Sequence, residues 1–441
     1  MLTAFVRAFQ TPDLRKKMLI TLGLIALFRF GASLPTPGVD VKNVTICTNV
    51  ATAAGSPTAG VLAIVNLLSG QALLRLSVFA LGIMPYITAS IILQLLTVVI
   101  PRLETLKQEG QAGQARITQY TRYLTVGLAV LQSTGYIELA RSGTLFNGCG
   151  TAGSNPIIPN DSVFSIATMV ITMVAGTTVI MWMGELITDR GVGNGMSVLI
   201  FTTVISVIPG EILAIYRVKG AFYAAIAIVV VIAIIAFIVF MEQAQRRIPV
   251  QYAKRMVGRR MYGGTSTYIP MKVNQAGVIP VIFASSLLYI PTLAAQLFGK
   301  NSTAGWVGWV SRYIETSSSA IYMLAFFVLI VGFTYFYVSI TFNPTEVADN
   351  MKKYGGFIPG IRPGRPTAEY LSYVLSRLTA PGSVYLGMIA LFPLIALSAI
   401  HVANQFPFSG VSLLIMVGVG LDTVKQIESQ LQQRNYEGFL R

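Results

Sequence analysis

Ten long apolar segments divide this chain of 441 residues and restrict the folds open to it. A helix that crosses a membrane needs roughly 20 mostly apolar residues. Segments of about that length lie at 18–34, 76–100, 120–140, 163–187, 196–215, 221–241, 274–296, 320–342, 379–400 and 409–427. The series predicts an all-α polytopic membrane protein with ten transmembrane helices.

The composition supports this class. The chain is 54% hydrophobic and only 11% charged, whereas a soluble domain carries about 25% charged residues. The first apolar segment follows several basic residues and continues into Leu34-Pro35-Thr36-Pro37 instead of a small-residue cleavage site. We therefore expect a retained membrane anchor rather than a cleaved signal peptide.

The basic residues predict the orientation of the chain. The formal net charge is +15, and if the N-terminus is inside, 24 lysines and arginines fall in inside segments and 7 in outside segments. The positive-inside rule then places both termini in the cytosol. The excess of basic residues can therefore be a topology signal and need not indicate nucleic-acid binding.

Two sequence echoes predict a duplicated architecture. The stretch GIMPYITASIIL at 82–93 returns as GVIPVIFASSLL at 277–288, and GMSVLI at 195–200 returns as GVSLLI at 410–415. Either echo alone could be chance, but two in the same order favour a repeat. Each pair is five segments apart, so the copies cross the membrane in opposite directions. This predicts two inverted five-helix halves, residues 1–217 and 218–441.

The echoes carry bulky apolar side chains in pairs spaced four residues apart, which puts each pair on one helix face. The eight residues are Ile83, Ile87, Met196, Ile200, Val278, Ile282, Val411 and Ile415. Ordinary helix packing is one explanation, although membrane helix contacts favour small residues. The other is a hydrophobic ring that stays dry and excludes ions. Such a ring has no hydrogen-bonding groups for a sugar, an amino acid or an ion.

A short apolar run at 61–68 does not fit the series. It is too short to cross a membrane, lies on the predicted outer side, and ends at Ser69-Gly70-Gln71. One explanation is a re-entrant helix, which must be surrounded by protein or by a water-filled cavity. The other is an amphipathic helix on the outer surface. We favour the re-entrant helix.

Two long basic loops are predicted on the inside, at about 242–273 and 343–378. Alternating apolar and polar residues with Pro and Gly suggest a short hairpin in the first loop. In the second loop, the Pro and Gly of FIPGIRPG at 357–364 predict turns that project Arg362 from a stiff tip. The basic charge of both loops is also expected of ordinary inside loops. The length and stiffness of these two loops, however, favour docking surfaces.

Signatures of catalysis and of bound cofactors are scarce. The chain has one histidine, His401, no His/Cys/carboxylate cluster for a metal, and no Walker loop. We therefore expect no enzyme activity, no cofactor and no metal. Cys47 and Cys149 both fall in outer loops, where a disulfide and two unpaired cysteines are equally compatible with the sequence.

Five motifs together resemble the bacterial SecY family, the central channel subunits of the Sec protein translocase. They are FALGIMPYI at 79–87, QYTRY at 119–123, RGVGNG at 190–195, AGVIP at 276–280 and FIPGIRPG at 357–364. The resemblance covers essentially the whole chain, and the loops look most like actinobacterial members. It implies a protein-conducting channel in the bacterial plasma membrane that passes unfolded polypeptides and releases hydrophobic segments through a lateral gate between segments 2–3 and 7–8.

The resemblance also implies roles for particular residues. The ring positions of the family match six of the eight residues above, namely Ile83, Ile87, Ile200, Val278, Ile282 and Ile415. Met196 stands where many relatives have Ile. The family's plug corresponds to about 61–75, although Gln71 replaces a common Gly; its residues are Val61, Ile64, Asn66, Leu67, Leu68, Ser69 and Gly70. The docking arginines of the family match Arg259, Arg260 and Arg362, and Arg246 and Arg247 lie in the same inside loop as the first two.

The implied partners are the SecE and SecG subunits, the SecA ATPase, the ribosome, signal sequences, unfolded preproteins and membrane lipids. No direct sequence-specific nucleic-acid binding is expected, although docking to the ribosome is compatible with contact with ribosomal RNA. From the residues alone, two other hypotheses stay open. A secondary transporter also uses inverted repeats but needs polar groups at mid-membrane, and a scaffold would bind ribosomes without conducting.

Overall fold

A computed structural model describes residues 9, 11–53, 69–70, 72–141, 156–159, 162–252, 255–257, 260–262, 266–297, 305–314, 319–399 and 410–439. Its helices are α1 Pro12–Ser33, α2 Val41–Ala53, α3 Met84–Val99, α4 Pro101–Gln108, α5 Gln111–Arg141, α6 Val163–Arg190, α7 Gly195–Lys219, α8 Ala221–Gln243, α9 Ile279–Leu297, α10 Gly305–Tyr313, α11 Ala320–Thr341, α12 Pro344–Lys353, α13 Arg365–Ala399 and α14 Gly410–Phe439. Its strands are β1 Gln245–Tyr252, β2 Arg255–Val257, β3 Arg260–Tyr262, β4 Ser266–Lys272 and β5 Gly356–Phe357.

A helix overlaps each of the ten predicted segments: α1, α3, α5 to α9, α11, α13 and α14. By length and apolar composition alone, five helices of the described residues are able to cross a membrane. The pair α3 and α4, bent by 104° at Ile100, gives a sixth. The bend falls before Pro101, whose ring disfavours helical backbone in the preceding residue. The chain is thus a multi-pass membrane protein, and ten crossings remain a prediction.

The predicted start of the second segment at 76 is wrong. The helix begins only at Met84, and the residues before it form successive turns. Leu76 has φ 45° and Gly82 has φ 56°, values outside the right-handed helical region. An apolar run has the same composition whether its backbone is helical or not, so hydropathy could not place this boundary.

The predicted limits of the ninth and tenth segments also need correction. α13 begins at Arg365 instead of 379, and α14 continues to Phe439 instead of ending at 427. Leu371 and Val374, in the added part of α13, are buried against the strands. These turns are amphipathic, so a search for continuous apolar residues does not detect them.

The loop at 242–273 contains the predicted hairpin, so the all-α description is incomplete. β1 pairs antiparallel with β4, placing Ile248 opposite Ile269, and β2 pairs with β3. β5, from the other predicted loop, joins the free side of β1 with Gln251 opposite Phe357. The two loops therefore fold together into one unit on the added turns of α13.

Helices of the first half of the chain contact helices of the second half at several places. α3 and α5 pack against α9, and α7 packs against α14 and against α8. Buried apolar side chains of these helices and of α1 and α11 form the central cluster, which includes Phe28, Tyr136, Phe326 and Leu414. A single apolar interior therefore connects the two halves.

Both sequence echoes have matching backbone geometry. Gly82 and Gly277 adopt φ 56° and 62°, a conformation that Gly takes at little cost, and each stands two residues before the start of a helix. Gly195 and Gly410 each begin a helix, and a Cβ on either would overlap a backbone carbonyl oxygen of the preceding helix. This correspondence supports the duplicated architecture.

The structure also decides the state of one cysteine. Cys47 lies on α2, has no exposed surface and is disulfide-bonded. The chain contains one other cysteine, Cys149, which lies outside the described residues. The alternative of an unpaired Cys47 is therefore excluded.

Candidate functional site

The eight candidate ring residues all belong to the central cluster. Six of them are at most 9% exposed: Ile83, Ile200, Val278, Ile282, Val411 and Ile415. Ile87 and Met196 are partly buried and pack against the same cluster. The structure thus brings these residues from four helices into one interior and turns none of them fully toward lipid.

The starts of the helices position these side chains. Ile83 directly precedes α3 and Val278 directly precedes α9, each following a left-handed glycine. Ile200 and Ile415 lie in the second turns of α7 and α14. Because α3 contacts α9 and α7 contacts α14, each half contributes a helix to both contacts.

Two of the eight residues also make ordinary helix-packing contacts. A Cβ at Gly184 of α6 would overlap the Sδ atom of Met196, and a Cβ at Gly418 of α14 would lie 2.8 Å from Cγ2 of Val278. Met196 therefore fills the contact between α6 and α7. For this residue the packing explanation accounts for the burial without a ring.

Of the plug residues, only Ser69 and Gly70 can be placed, since Val61, Ile64, Asn66, Leu67 and Leu68 lie outside the described residues. Ser69 and Gly70 are both buried. Arg29 Nη1 of α1 donates to the Gly70 carbonyl at 3.5 Å, and a Cβ at Gly70 would lie 3.3 Å from Thr203 of α7. The end of the predicted plug is thus held between α1 and α7, and sequence analysis had assigned no such role to Arg29.

Residues 72–83, here called the connector, join this point to α3 and are packed on both sides. Thr36 Oγ1 donates to the Leu76 carbonyl at 2.6 Å, and the Val78 N–H donates to the Leu34 carbonyl at 2.9 Å. The Phe79 ring stacks on Phe28 with 5.9 Å between centroids. Protein groups therefore satisfy these polar backbone groups of the connector, as irregular backbone inside a membrane requires.

Glycines allow the connector to pack this closely. A Cβ at Gly31 of α1 would overlap the Phe79 ring, and a Cβ at Gly176 of α6 would overlap the Val78 carbonyl oxygen. Sequence analysis gave no role to either glycine. Their signal is weak, because glycines are common in membrane helices for general packing reasons.

An ion pair links α5 to α6. Arg122 Nε and Nη2 donate to the two carboxylate oxygens of Glu185 at 2.9 and 2.8 Å, and Nη1 donates to Gln119 at 3.0 Å. Such a two-bond pair fixes orientation as well as distance. The partners are 63 residues apart in the chain, so their contact could not be read from local spacing.

The candidate docking arginines lie on the strands and on the tip of the second loop. Arg246 and Arg247 are exposed on β1, and the Arg247 guanidinium lies 4.8 Å from the centroid of the Tyr268 ring. The backbone of Arg260 is part of β3, whereas Arg259 lies outside the described residues.

The tip that carries Arg362 is a tight turn, as predicted. The Ile361 N–H donates to the Ile358 carbonyl at 3.0 Å, with Pro359 and Gly360 between them and φ 84° at Gly360, a type II turn. Thr367 Oγ1 donates to the Arg362 carbonyl at 2.8 Å. Arg362 is exposed on a backbone that is fixed on both sides.

Among the described residues, no group of three or more His, Cys, Asp or Glu side chains could hold a metal ion. The arrangement offers a buried apolar interior and exposed basic residues on β1 and on the tip of the second loop.

Known proteins resemble this chain over its whole length. The SecY family model matches residues 77–424. The protein translocase subunit SecY of Streptomyces coelicolor is 63% identical, and the match covers 100% of both chains. The corresponding subunit of Mycobacterium tuberculosis is 57% identical, also over 100% of both chains.

Solved structures share the fold at much lower identity. One, described as a protein conducting channel, matches with a TM-score of 0.63 at 16% identity and covers 94% of this chain and 92% of its own. Canine Sec61, solved in a ribosome–channel complex from the endoplasmic reticulum, matches with a TM-score of 0.59 at 15% identity and the same coverage. With the family match and the full-length relatives, this chain belongs to the SecY family, and the relatives named here are actinobacterial.

Proposed function

We propose that the chain is the protein-conducting channel of a bacterial plasma-membrane translocase. It passes unfolded polypeptides across the membrane and releases hydrophobic segments sideways into lipid. The observation that carries this proposal is the full-length identity of 63% to a protein translocase subunit. The buried apolar residues at matching helix starts in both halves support it.

The channel works passively through an apolar ring. Ile200, Ile282 and Ile415 lie on three different helices and Ile83 lies directly before a fourth, and all four belong to one interior cluster. An apolar constriction dewets and so blocks ions. It also lacks hydrogen-bonding groups that would favour one passenger sequence, so extended chains of any composition can pass. The motor or ribosome supplies the energy.

Opening separates the two proposed halves, residues 1–217 and 218–441. The lateral gate lies between α3 and α5 on one side and α9 and α11 on the other, and the direct contacts of α3 and α5 with α9 are those that must break. A signal sequence replaces these contacts with its own apolar surface. The part of the plug that precedes Gly70 moves out of the ring. Its end stays in place, because Arg29 and Thr203 hold Gly70.

Crosslinking of a trapped passenger tests the channel directly. We expect a stalled polypeptide to form disulfides with cysteines placed at 83 and at 282, because both positions lie in the constriction. Position 226 on α8 is the matched control, since Ile226 is exposed on the surface of the protein and not in its interior. The assay uses membranes with the complete translocase, and the measurement is the fraction of passenger crosslinked. Equal crosslinking at 226 would show that the passenger does not travel through the interior.

The basic surface docks the partners that drive transport. With both termini in the cytosol, Arg246, Arg247, Arg259, Arg260 and Arg362 face the cytosol, where SecA and the ribosome act. The related Sec61 channel has been solved in a ribosome–channel complex, which supports ribosome docking. SecE and SecG complete the translocase within the membrane.

Reversing the charge at the tip should stop motor-driven export without unfolding the protein. Arg362→Glu is expected to lower SecA-dependent translocation about tenfold, because charge reversal at a docked basic surface costs more than 1 kcal/mol. Arg362 accepts a hydrogen bond within the protein through its backbone carbonyl, which the substitution leaves unchanged. The melting temperature should therefore stay the same. Lys353→Glu is the control, because Lys353 is also exposed and lies on α12 of the same loop. Equal losses for both variants would indicate a general charge effect instead of docking by Arg362.

A further inference from the structure

The short helix α10 joins the two helices on one side of the proposed gate. It has nine residues, GWVGWVSRY, and contacts both α9 and α11. Its inner face is closed: Val307 and Val310 are buried together with Ala295 of α9, and Ile314 packs on them. The position of α10 is therefore fixed against the outer end of α9.

The other face of α10 is uncovered. Gly305, Gly308, Trp309 and Arg312 are all exposed, and their spacing of three and four residues puts them on one side of the helix. Trp309 is 50% exposed, and its ring lies 5.7 Å from that of Tyr313. The two glycines have no side chains that could cover the indole of Trp309 on this face.

The lipid-facing surface of α9 leads directly to this helix. Leu287 and Ile290 are exposed on α9, in a part of the chain that we propose to cross the membrane. Ala295, on which α10 packs, follows Ile290 by five residues, or about 7.5 Å along the helix axis. α10 therefore lies at the edge of the apolar band and not far beyond it.

We infer that α10 lies flat in the outer interface of the membrane and binds lipid through Trp309 and Arg312. Indole rings favour the headgroup level of a bilayer. An arginine beside such a ring can extend its charge toward lipid phosphate while its methylene groups stay in apolar surroundings. No acidic residue occurs on α10 to oppose an anionic headgroup.

This contact gives α10 a mechanical role that rests on the proposed function. α10 touches both α9 and α11, the two helices on one side of the proposed gate. An interfacial helix resists movement along the membrane normal more than movement within the plane. Anchoring by α10 therefore lets α9 slide sideways while holding the apolar ring residue Ile282 at its depth.

Fluorescence quenching measures the depth of Trp309. The double substitution Trp182→Phe and Trp306→Phe leaves Trp309 as the one indole of the chain. The full chain is reconstituted into vesicles whose lipids carry bromine either just below the headgroups or near the bilayer centre. We expect the shallow bromines to quench Trp309 about twofold more than the deep ones, and aqueous iodide to quench it weakly.

A matched variant with Trp306→Phe and Trp309→Phe reports on Trp182, which is 57% exposed on the membrane helix α6. Deep bromines should reach it better than they reach Trp309. Strong iodide quenching of Trp309 without bromine quenching would overturn the inference in favour of a water-facing helix. Protection of Trp309 from both quenchers would overturn it in favour of a protein partner or a second copy. Translocation by the same variants is measured separately, so a failed channel and a misplaced α10 give different results.

Discussion

Replacing Gly195 or Gly410 by alanine is expected to lower both the yield and the melting temperature of the folded protein. A Cβ at Gly195 would overlap the Gly184 carbonyl oxygen of α6, and one at Gly410 would overlap the Ile389 carbonyl oxygen of α13. A carbonyl inside a helix cannot turn away without breaking its own hydrogen bond. The neighbouring helices must separate instead, at a cost of about 3 kcal/mol or more.

Two alanine substitutions in the same helices provide controls. A Cβ added at Gly210 of α7 would have no atom within 4 Å. A Cβ added at Gly420 of α14 would lie 3.5 Å from the Phe201 ring, an ordinary van der Waals distance. Alanine at these positions should be neutral or slightly stabilising, since it favours a helix over glycine by about 1 kcal/mol. The measurements are the yield of folded protein in detergent and its melting temperature.

The comparison also tests the repeat itself. If Gly195→Ala and Gly410→Ala lower the melting temperature to a similar extent, the two positions carry equivalent packing, as the duplicated architecture requires. A melting temperature for Gly195→Ala equal to that of Gly210→Ala would mean that α6 and α7 are not in such close contact.

The sequence could predict where the membrane helices lie, because burial in lipid depends mainly on a long apolar composition. It could also relate Gly82 to Gly277 and Gly195 to Gly410. The structure gives each pair the same backbone role. Glycine is informative here because the positive φ and the close approach exclude most other residues.

Three features could not be predicted because they depend on distant contacts. The connector is as apolar as a helix, yet Thr36 and Leu34 of the preceding segment hold it in turns. Arg122 and Glu185 pair across two helices. β5 joins β1 although more than a hundred residues separate them, and no local pattern records such a pairing.

The ring itself stays a prediction, but the structure shows where its candidate residues lie. All eight residues share one interior cluster, which local spacing and the repeat were sufficient to indicate. The contact of Met196 with Gly184 was missed, because spacing gives the face of a helix but not the neighbour that the face meets. The closed ring itself remains a proposal.

Removing bulk from the proposed ring should make the channel leak ions. Ile83 directly precedes α3, and Ile282 lies in α9, which contacts α3. Serine at either position shortens the side chain and adds a hydroxyl that holds water, so the constriction can stay wet. We expect Ile83→Ser and Ile282→Ser each to raise the ion conductance of reconstituted vesicles about tenfold, and the double variant to exceed either one.

Two serine substitutions in α9 separate an effect on folding from an effect on ion leakage. A serine at 282 can donate to a carbonyl of its own helix, as Ser285 donates to the Ile282 carbonyl at 2.8 Å, so its hydroxyl is satisfied without breaking α9. Ile290→Ser makes the same change on the exposed face of α9. Because that side chain faces lipid, its loss should leave conductance unchanged. If Ile83→Ser and Ile282→Ser melt as cooperatively as Ile290→Ser and conduct no more than the parent, these isoleucines pack helices together and do not seal a pore.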